Sequence, residues 1–193
     1  MPNKNIRRLS LHSLDPRRKY FLDANIWITY LTNPQYPKAK EEVYMQFFEK
    51  LIETQLLIFS HSLIISEVIN AMLRIAFKTY KENLPHDPSN RLSKPQILKL
   101  DFKKDYRTTN DYNYHLRNVK EDLRAYLPFV EVLDNKFKPD LDYLVGNFPE
   151  DSDFNDFFYY RMARENELTI VTDDGDFNFK SISILSENGA LLK

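Results

Sequence analysis

Acidic residues follow two short apolar runs of this sequence, and they are the side chains with the clearest capacity for chemistry. Asp23 comes directly after Lys19-Tyr20-Phe21-Leu22, and the acidic segment Asp173-Asp174-Gly175-Asp176 closely follows Leu168–Val171. If both runs are neighbouring parallel strands, these carboxylates open on the same edge of a sheet. Carboxylates gathered in this way repel one another, so they either take up protons or bind a cation.

Three further acids lie in or beside predicted helices. Asp153 and Asp156 are three residues apart at a predicted helix start and therefore share one face. Glu67 lies among aliphatic residues of another predicted helix. Each acid also has a structural interpretation, because Asp often caps helices and Asp-Gly is common in turns. As a group they indicate metal-assisted phosphodiester hydrolysis, since hard oxygen ligands suit Mg²⁺ or Mn²⁺.

Composition excludes several other chemistries. The 193 residues include no Cys and three Gly, which excludes disulfides, Cys-ligated metals, cysteine nucleophiles and Gly-rich phosphate loops. The formal net charge of −1 argues against a general polyanion binder. That charge is unevenly distributed, because residues 1–22 hold six bases and one acid, whereas residues 134–176 hold twelve acids and four bases.

The elements that must position the acids alternate between strands and helices. Short apolar runs predict strands at residues 19–22, 56–59, 129–133, 168–171 and 181–185. Apolar spacing of three and four residues predicts helices at residues 24–31, 38–54, 62–81, 114–127, 139–145 and 153–166. The alternation predicts an α/β fold with a mainly parallel central sheet flanked by helices.

Domain organisation follows from length and from the segments that lack periodicity. The length favours one domain, which we place at residues 19–193, preceded by a basic and irregular N-terminal arm at 1–18. Residues 83–112 contain three prolines and predict an insertion or long connection, with one helical turn near residues 96–100. No apolar run approaches the roughly 20 residues that span a bilayer, so we expect no membrane association and a cytoplasmic location.

Five segments, in this order, resemble the PIN domain nucleases. They are Phe21-Leu22-Asp23-Ala24-Asn25, Ser66-Glu67-Val68-Ile69-Asn70, Asp153-Phe154-Asn155-Asp156, the helix that contains Ala163, and Ile170-Val171-Thr172-Asp173-Asp174-Gly175-Asp176-Phe177. The resemblance covers roughly residues 19–82 and 114–185. It implies a PIN-like α/β domain.

The resemblance also implies a role for each site residue. The catalytic acids would be Asp23, Glu67, Asp156 and Asp174, and the auxiliary residues would be Asn25, Asp153, Thr172 and Asp176. All six of the acids in these two groups would contribute to binding Mg²⁺ or Mn²⁺. Asp173 falls at a position that the family does not hold acidic.

The function implied by the resemblance is a metal-dependent endoribonuclease that hydrolyses RNA. Among bacterial members the sequence is similar to VapC-type toxins, which implies an antitoxin protein as partner and a homodimer. The basic arm and residues 83–112 depart from the compact toxins. The alternative is a non-catalytic PIN-like module that binds RNA or a partner protein, with acids that are structural or inhibitory.

Overall fold

A single parallel sheet organises the part of the chain described by this computed structural model, residues 5–150 and 152–193. Its strands are β1 (Ile6–Arg8), β2 (Lys19–Leu22), β3 (Ile58–Ser60), β4 (Val130–Val132), β5 (Leu168–Val171) and β6 (Ser183–Ser186). The spatial order is β1-β6-β5-β2-β3-β4, and every neighbouring pair is parallel. The predicted α/β fold with a mainly parallel central sheet is confirmed.

Helices connect and flank these strands. They are α1 (Ala24–Thr32), α2 (Ala39–Glu53), α3 (Ser62–Asn83), α4 (Lys94–Leu98), α5 (Asn110–Tyr126), α6 (Leu141–Asn147) and α7 (Phe154–Asn166). Each helix predicted from periodicity is present, with its ends shifted by a few residues at most. Among the described residues, none of the helices combines the length and the apolar character needed to cross a bilayer.

The chain divides into two compact units. The first comprises residues 1–65 and 129–193 and contains the whole sheet with α1, α2, α6 and α7. The second comprises residues 66–128 and contains most of α3 together with α4 and α5. The connection predicted at residues 83–112 lies within the second unit, and α4 supplies a helical turn close to the predicted position.

The prediction of an irregular arm at residues 1–18 is wrong for residues 6–11, and residues 1–4 of that arm lie outside the described residues. Ile6–Arg8 form β1, which pairs with β6 at the edge of the sheet, and Leu9–Leu11 form a 3-10 turn. Leu9 is buried, with 2% of its surface exposed. The sequence pattern missed this strand because a three-residue edge strand with two arginines carries almost no hydrophobic periodicity.

Strand β2 lies at the centre of the sheet, and its side chains are part of the core of the first unit. Tyr20 and Phe21 are fully buried, as expected for a strand covered on both faces. Tyr20 packs edge-on against Phe47 of α2, whereas Phe21 packs against Tyr159 of α7. Because successive residues of a strand point to opposite faces, α2 and α7 cover opposite faces of the sheet at β2.

Candidate functional site

Asp23 lies at the end of β2, where the chain turns directly into α1. Its backbone N–H donates to the carbonyl of Val171 at 3.0 Å, so the ladder between β2 and β5 continues to this residue. Its Oδ1 accepts the backbone N–H of Ala24 at 2.6 Å at the helix start. Asp23 is therefore an N-cap, as its structural interpretation predicts, and it also lies at the carboxyl edge of the sheet.

Thr172, the residue after β5, binds the same carboxylate. Its hydroxyl donates to Asp23 Oδ2 at 2.6 Å and accepts the Asp174 backbone N–H at 2.9 Å. The Asn25 amide donates to Asp23 Oδ2 at 2.7 Å and to Thr172 Oγ1 at 3.1 Å. A hydroxyl has one proton and two acceptor sites, so Thr172, which is fully buried, has its hydrogen-bonding capacity filled and its proton directed at Asp23.

The acidic segment after β5 is folded onto this cluster. Asn25 Oδ1 accepts the backbone N–H of Asp173 at 3.1 Å, and Asp174 Oδ1 accepts the backbone N–H of Asp176 at 2.9 Å. Asp174 is half-buried, whereas Asp176 is exposed. A Cβ at Gly175 would lie 3.3 Å from Ala190 Cβ, so the turn packs closely on the C-terminal segment.

Asp173 is bound by residues that the sequence analysis did not single out. Lys40 Nζ donates to its Oδ2 at 2.6 Å, and the Tyr44 hydroxyl lies 3.2 Å from its Oδ1. Burial raises the pKa of Tyr44, which keeps the phenol protonated and able to donate. The same hydroxyl accepts the Glu187 N–H at 2.7 Å and lies 3.1 Å from the Thr172 carbonyl oxygen. Tyr44 therefore joins α2 to the ends of β5 and β6.

Asp153 and Asp156 form a second, local acidic pair. Asp153 is exposed and caps α7, since its Oδ1 accepts the backbone N–H of Asp156 at 2.8 Å. Asp156 is half-buried in the first turn. Because α7 is followed almost at once by β5 and packs against it, its first turn lies toward the edge where β5 ends. That the pair joins the cluster around Asp23 stays a prediction.

Glu67 belongs to the second unit. It lies on α3 and is half-buried between the buried residues Ile64 and Val68. The sequence pattern correctly placed it on a helix and beside aliphatic neighbours. The cluster built around Asp23, Asn25, Thr172 and Asp174 belongs to the first unit.

The donor chemistry of the cluster fits a hard divalent cation. Asp23 and Asp174 each supply carboxylate oxygens. The Thr172 hydroxyl binds the Asp23 carboxylate on one side and the backbone N–H of Asp174 on the other. Oxygen donors of this kind suit Mg²⁺ or Mn²⁺. Within residues 5–150 and 152–193, however, no three His, Cys, Asp or Glu side chains are grouped so that they could bind one metal ion.

Comparisons with protein families, curated proteins and solved structures gave no match to this chain. The resemblance to PIN domain nucleases therefore rests on the ordered motifs, and membership of that family stays a prediction.

Proposed function

We propose that the chain is a divalent-metal-dependent endoribonuclease of the PIN type, with its catalytic centre around Asp23. The observation that carries the proposal is the hydrogen-bonded group of Asp23, Asn25 and Thr172, which joins the carboxyl ends of two adjacent parallel strands. Open α/β sheets bind ligands at this edge. The first and last motifs of the family resemblance contain these three residues.

The residues of the cluster would orient the reacting groups. When bound, Mg²⁺ or Mn²⁺ supplies Lewis acidity toward the phosphodiester and toward the attacking water. Asp23 and Asp174 would bind it, with Asp153, Asp156, Asp176 and Glu67 as the further acids implied by the resemblance. Asp23 accepts hydrogen bonds from Ala24, Asn25 and Thr172, so its carboxylate is fixed before substrate arrives and needs little reorganisation.

RNA is the substrate class that the proposal names. Lys40 places an ammonium group beside the acidic segment, where it can meet a backbone phosphate, and its side chain is 43% exposed. The bases between Arg7 and Lys19 would add to the attraction, so binding should weaken as salt rises. A cytoplasmic location, an antitoxin partner and a homodimer are further parts of the proposal and rest on the similarity to VapC-type toxins.

The test is digestion of single-stranded and structured RNA by purified protein with Mn²⁺, with Mg²⁺ and with chelator. We expect cleavage that requires the metal and that Asp23→Asn abolishes. Asp142→Asn is the matched control, because it makes the same chemical change at an exposed residue in the first turn of α6. Full activity of Asp23→Asn would refute the catalytic assignment.

A non-catalytic PIN-like module is the second candidate. It is favoured by one observation, namely that the described acids include no group of three arranged around a common cation position. In that case the acids cap helices and turns, and the protein binds RNA or a partner protein without cleaving it. Titration with Mn²⁺ in a calorimeter separates the two candidates, because the nuclease requires binding that Asp23→Asn weakens.

A further inference from the structure

A groove with an apolar floor and a basic rim lies in the second unit, between α3 and α4. Its main cavity has a volume of about 420 Å³. We call it the basic groove, and its principal lining residues are Arg74, Phe77, Lys78, Lys81, Ile97 and Leu98. An adjoining cavity of about 180 Å³ shares three of these residues and adds Pro85 and Lys94. The main volume falls within the roughly 300–1,000 Å³ typical of ligand pockets.

The rim of the basic groove carries a strong excess of positive charge. Arg74, Lys78 and Lys81 are spaced by four and three residues on one face of α3, a distance of roughly 10 Å along the helix. Lys94 adds a fourth base from α4. The acid that lines the groove is Glu82, whose pair with Lys78 is long, at 3.9 Å, and highly exposed. Such a pair leaves most of the positive field intact.

Cationic side chains of the protein already lie over the aromatic rings near the basic groove. The Lys81 ammonium lies 5.2 Å from the centre of the Phe77 ring, and the Arg74 guanidinium lies 5.3 Å from that of Phe102. Stacking of nucleobases requires open aromatic faces, so these rings are poor platforms for RNA. The groove instead offers aliphatic surface, most of all Leu98, a leucine with 74% of its surface exposed.

We propose that the basic groove binds an acidic amphipathic peptide segment of a partner protein. Aliphatic side chains of the peptide would fill the cavity over Ile97 and Leu98, and its carboxylates would pair with the bases on α3. Acids spaced four and three residues apart on a helical peptide match the spacing of Arg74, Lys78 and Lys81. The residues of this groove belong to the second unit, whereas the Asp23 cluster belongs to the first, and the proposal does not depend on nuclease activity.

The test uses the full chain and a phage library of random peptides of about twelve residues, which span roughly 18 Å as a helix. We expect enrichment of peptides that combine Asp or Glu with Leu, Ile or Val. The affinity of the enriched peptides should fall at least about tenfold in Leu98→Asp and in the double variant Lys78→Glu/Lys94→Glu. These side chains are exposed, and circular dichroism would verify that each variant is folded.

The matched control is Arg117→Glu/Lys120→Glu, which makes the same charge change at two exposed residues of α5 in the same unit. Binding should be unchanged in this control. A selection that gives no acidic peptides, or peptides that the groove variants bind as well as the wild type, overturns the proposal. The proposal is also overturned if the groove variants lose affinity for a single-stranded RNA oligomer but keep their affinity for the peptides.

Discussion

Thr172 donates its hydroxyl proton to the carboxylate of Asp23 over 2.6 Å, although the two residues are 149 positions apart in the chain. The bond links the ends of the paired strands β2 and β5. The same hydroxyl accepts the backbone N–H of Asp174. Together with Asn25 and the Ala24 N–H, this buried oxygen orients the first acid, and it also binds the start of the acidic segment.

Replacement of Thr172 by valine should damage both stability and the proposed activity. Valine keeps the shape but removes a fully buried hydroxyl, which leaves the Asp174 N–H without this acceptor and Asp23 without this donor. We expect a loss of about 1–3 kcal/mol in the free energy of unfolding. Urea unfolding measures this loss, and the metal-dependent cleavage assay measures the effect on activity.

The matched variant is Thr172→Ser, which keeps the hydroxyl and removes a buried methyl group. It should lose about 1 kcal/mol of stability through that methyl group. Cleavage should nevertheless be retained, because Asp23 keeps its donor. Equal losses of cleavage in the valine and serine variants would show that the hydroxyl does not position Asp23.

Replacement of Lys40 by methionine should affect RNA binding more than folding. The ion pair with Asp173 joins two partly exposed side chains, so its removal should cost about 0–1 kcal/mol. If Lys40 contacts a backbone phosphate, the slope of log affinity against log salt should fall by about one unit. Lys38→Met is the control, because Lys38 also forms an exposed ion pair, with Glu41. Identical salt slopes for the wild type and Lys40→Met would contradict the contact.

The sequence predicted the part of this cluster that lies at strand ends. Lys19–Leu22 and Leu168–Val171 are apolar runs with abrupt polar ends, so the position of Asp23 follows from the pattern and from the rule for parallel sheets. Thr172 was implied only by the resemblance to PIN domain nucleases. Lys40 and Tyr44 could not be predicted in the same way. The helical spacing of Tyr44 indicates burial, but it carries no information on which oxygens its hydroxyl will meet.

The contacts that C-terminal residues make with the cluster were missed for a related reason. Asn188 donates to the Asp173 carbonyl oxygen at 2.5 Å, and the Ser186 hydroxyl lies 3.3 Å from that of Tyr44. Both residues reach the cluster because β6 pairs with β5, and strand order within a sheet is a long-range property. Short apolar runs predict that strands exist. Which strands become neighbours in the sheet is decided by the packing of the helices that connect them.

Variants of Asp153 separate helix capping from a role in the proposed metal site. Asp153→Ala removes the acceptor for the Asp156 N–H and should cost about 1 kcal/mol of stability. Asp153→Ser restores a capping oxygen without a carboxylate, so stability should return nearly to that of the wild type. If the carboxylate assists metal binding, both variants should show reduced cleavage at low Mn²⁺ concentration. Full cleavage by the serine variant would assign Asp153 to capping alone.

Stability should fall as the pH falls through the range in which histidines titrate. Burial lowers the pKa of His12, with the nearby Arg18 and Arg7 acting in the same direction, and burial lowers the pKa of His61 although Asp134 opposes it. The unfolded chain therefore takes up protons near pH 6.5, while the folded state keeps both rings neutral. The stabilisation is fully present above that pH and is lost as the pH falls through the folded pKa values.

Urea unfolding at pH values of about 7.5 and 5.5 measures this dependence. We expect a lower unfolding free energy at the lower pH for the wild type, and a smaller decrease for the double variant His12→Gln/His61→Gln. Asp15 and Asp134 should not contribute between these two pH values, because the ordinary pKa of Asp already lies below the window. The hydrogen bonds from Arg17 lower the pKa of Asp15 further, and those from Ser62 outweigh burial and lower the pKa of Asp134. His86→Gln is the control, since His86 is exposed. An equal decrease in the double variant and the wild type would show that other groups cause the loss.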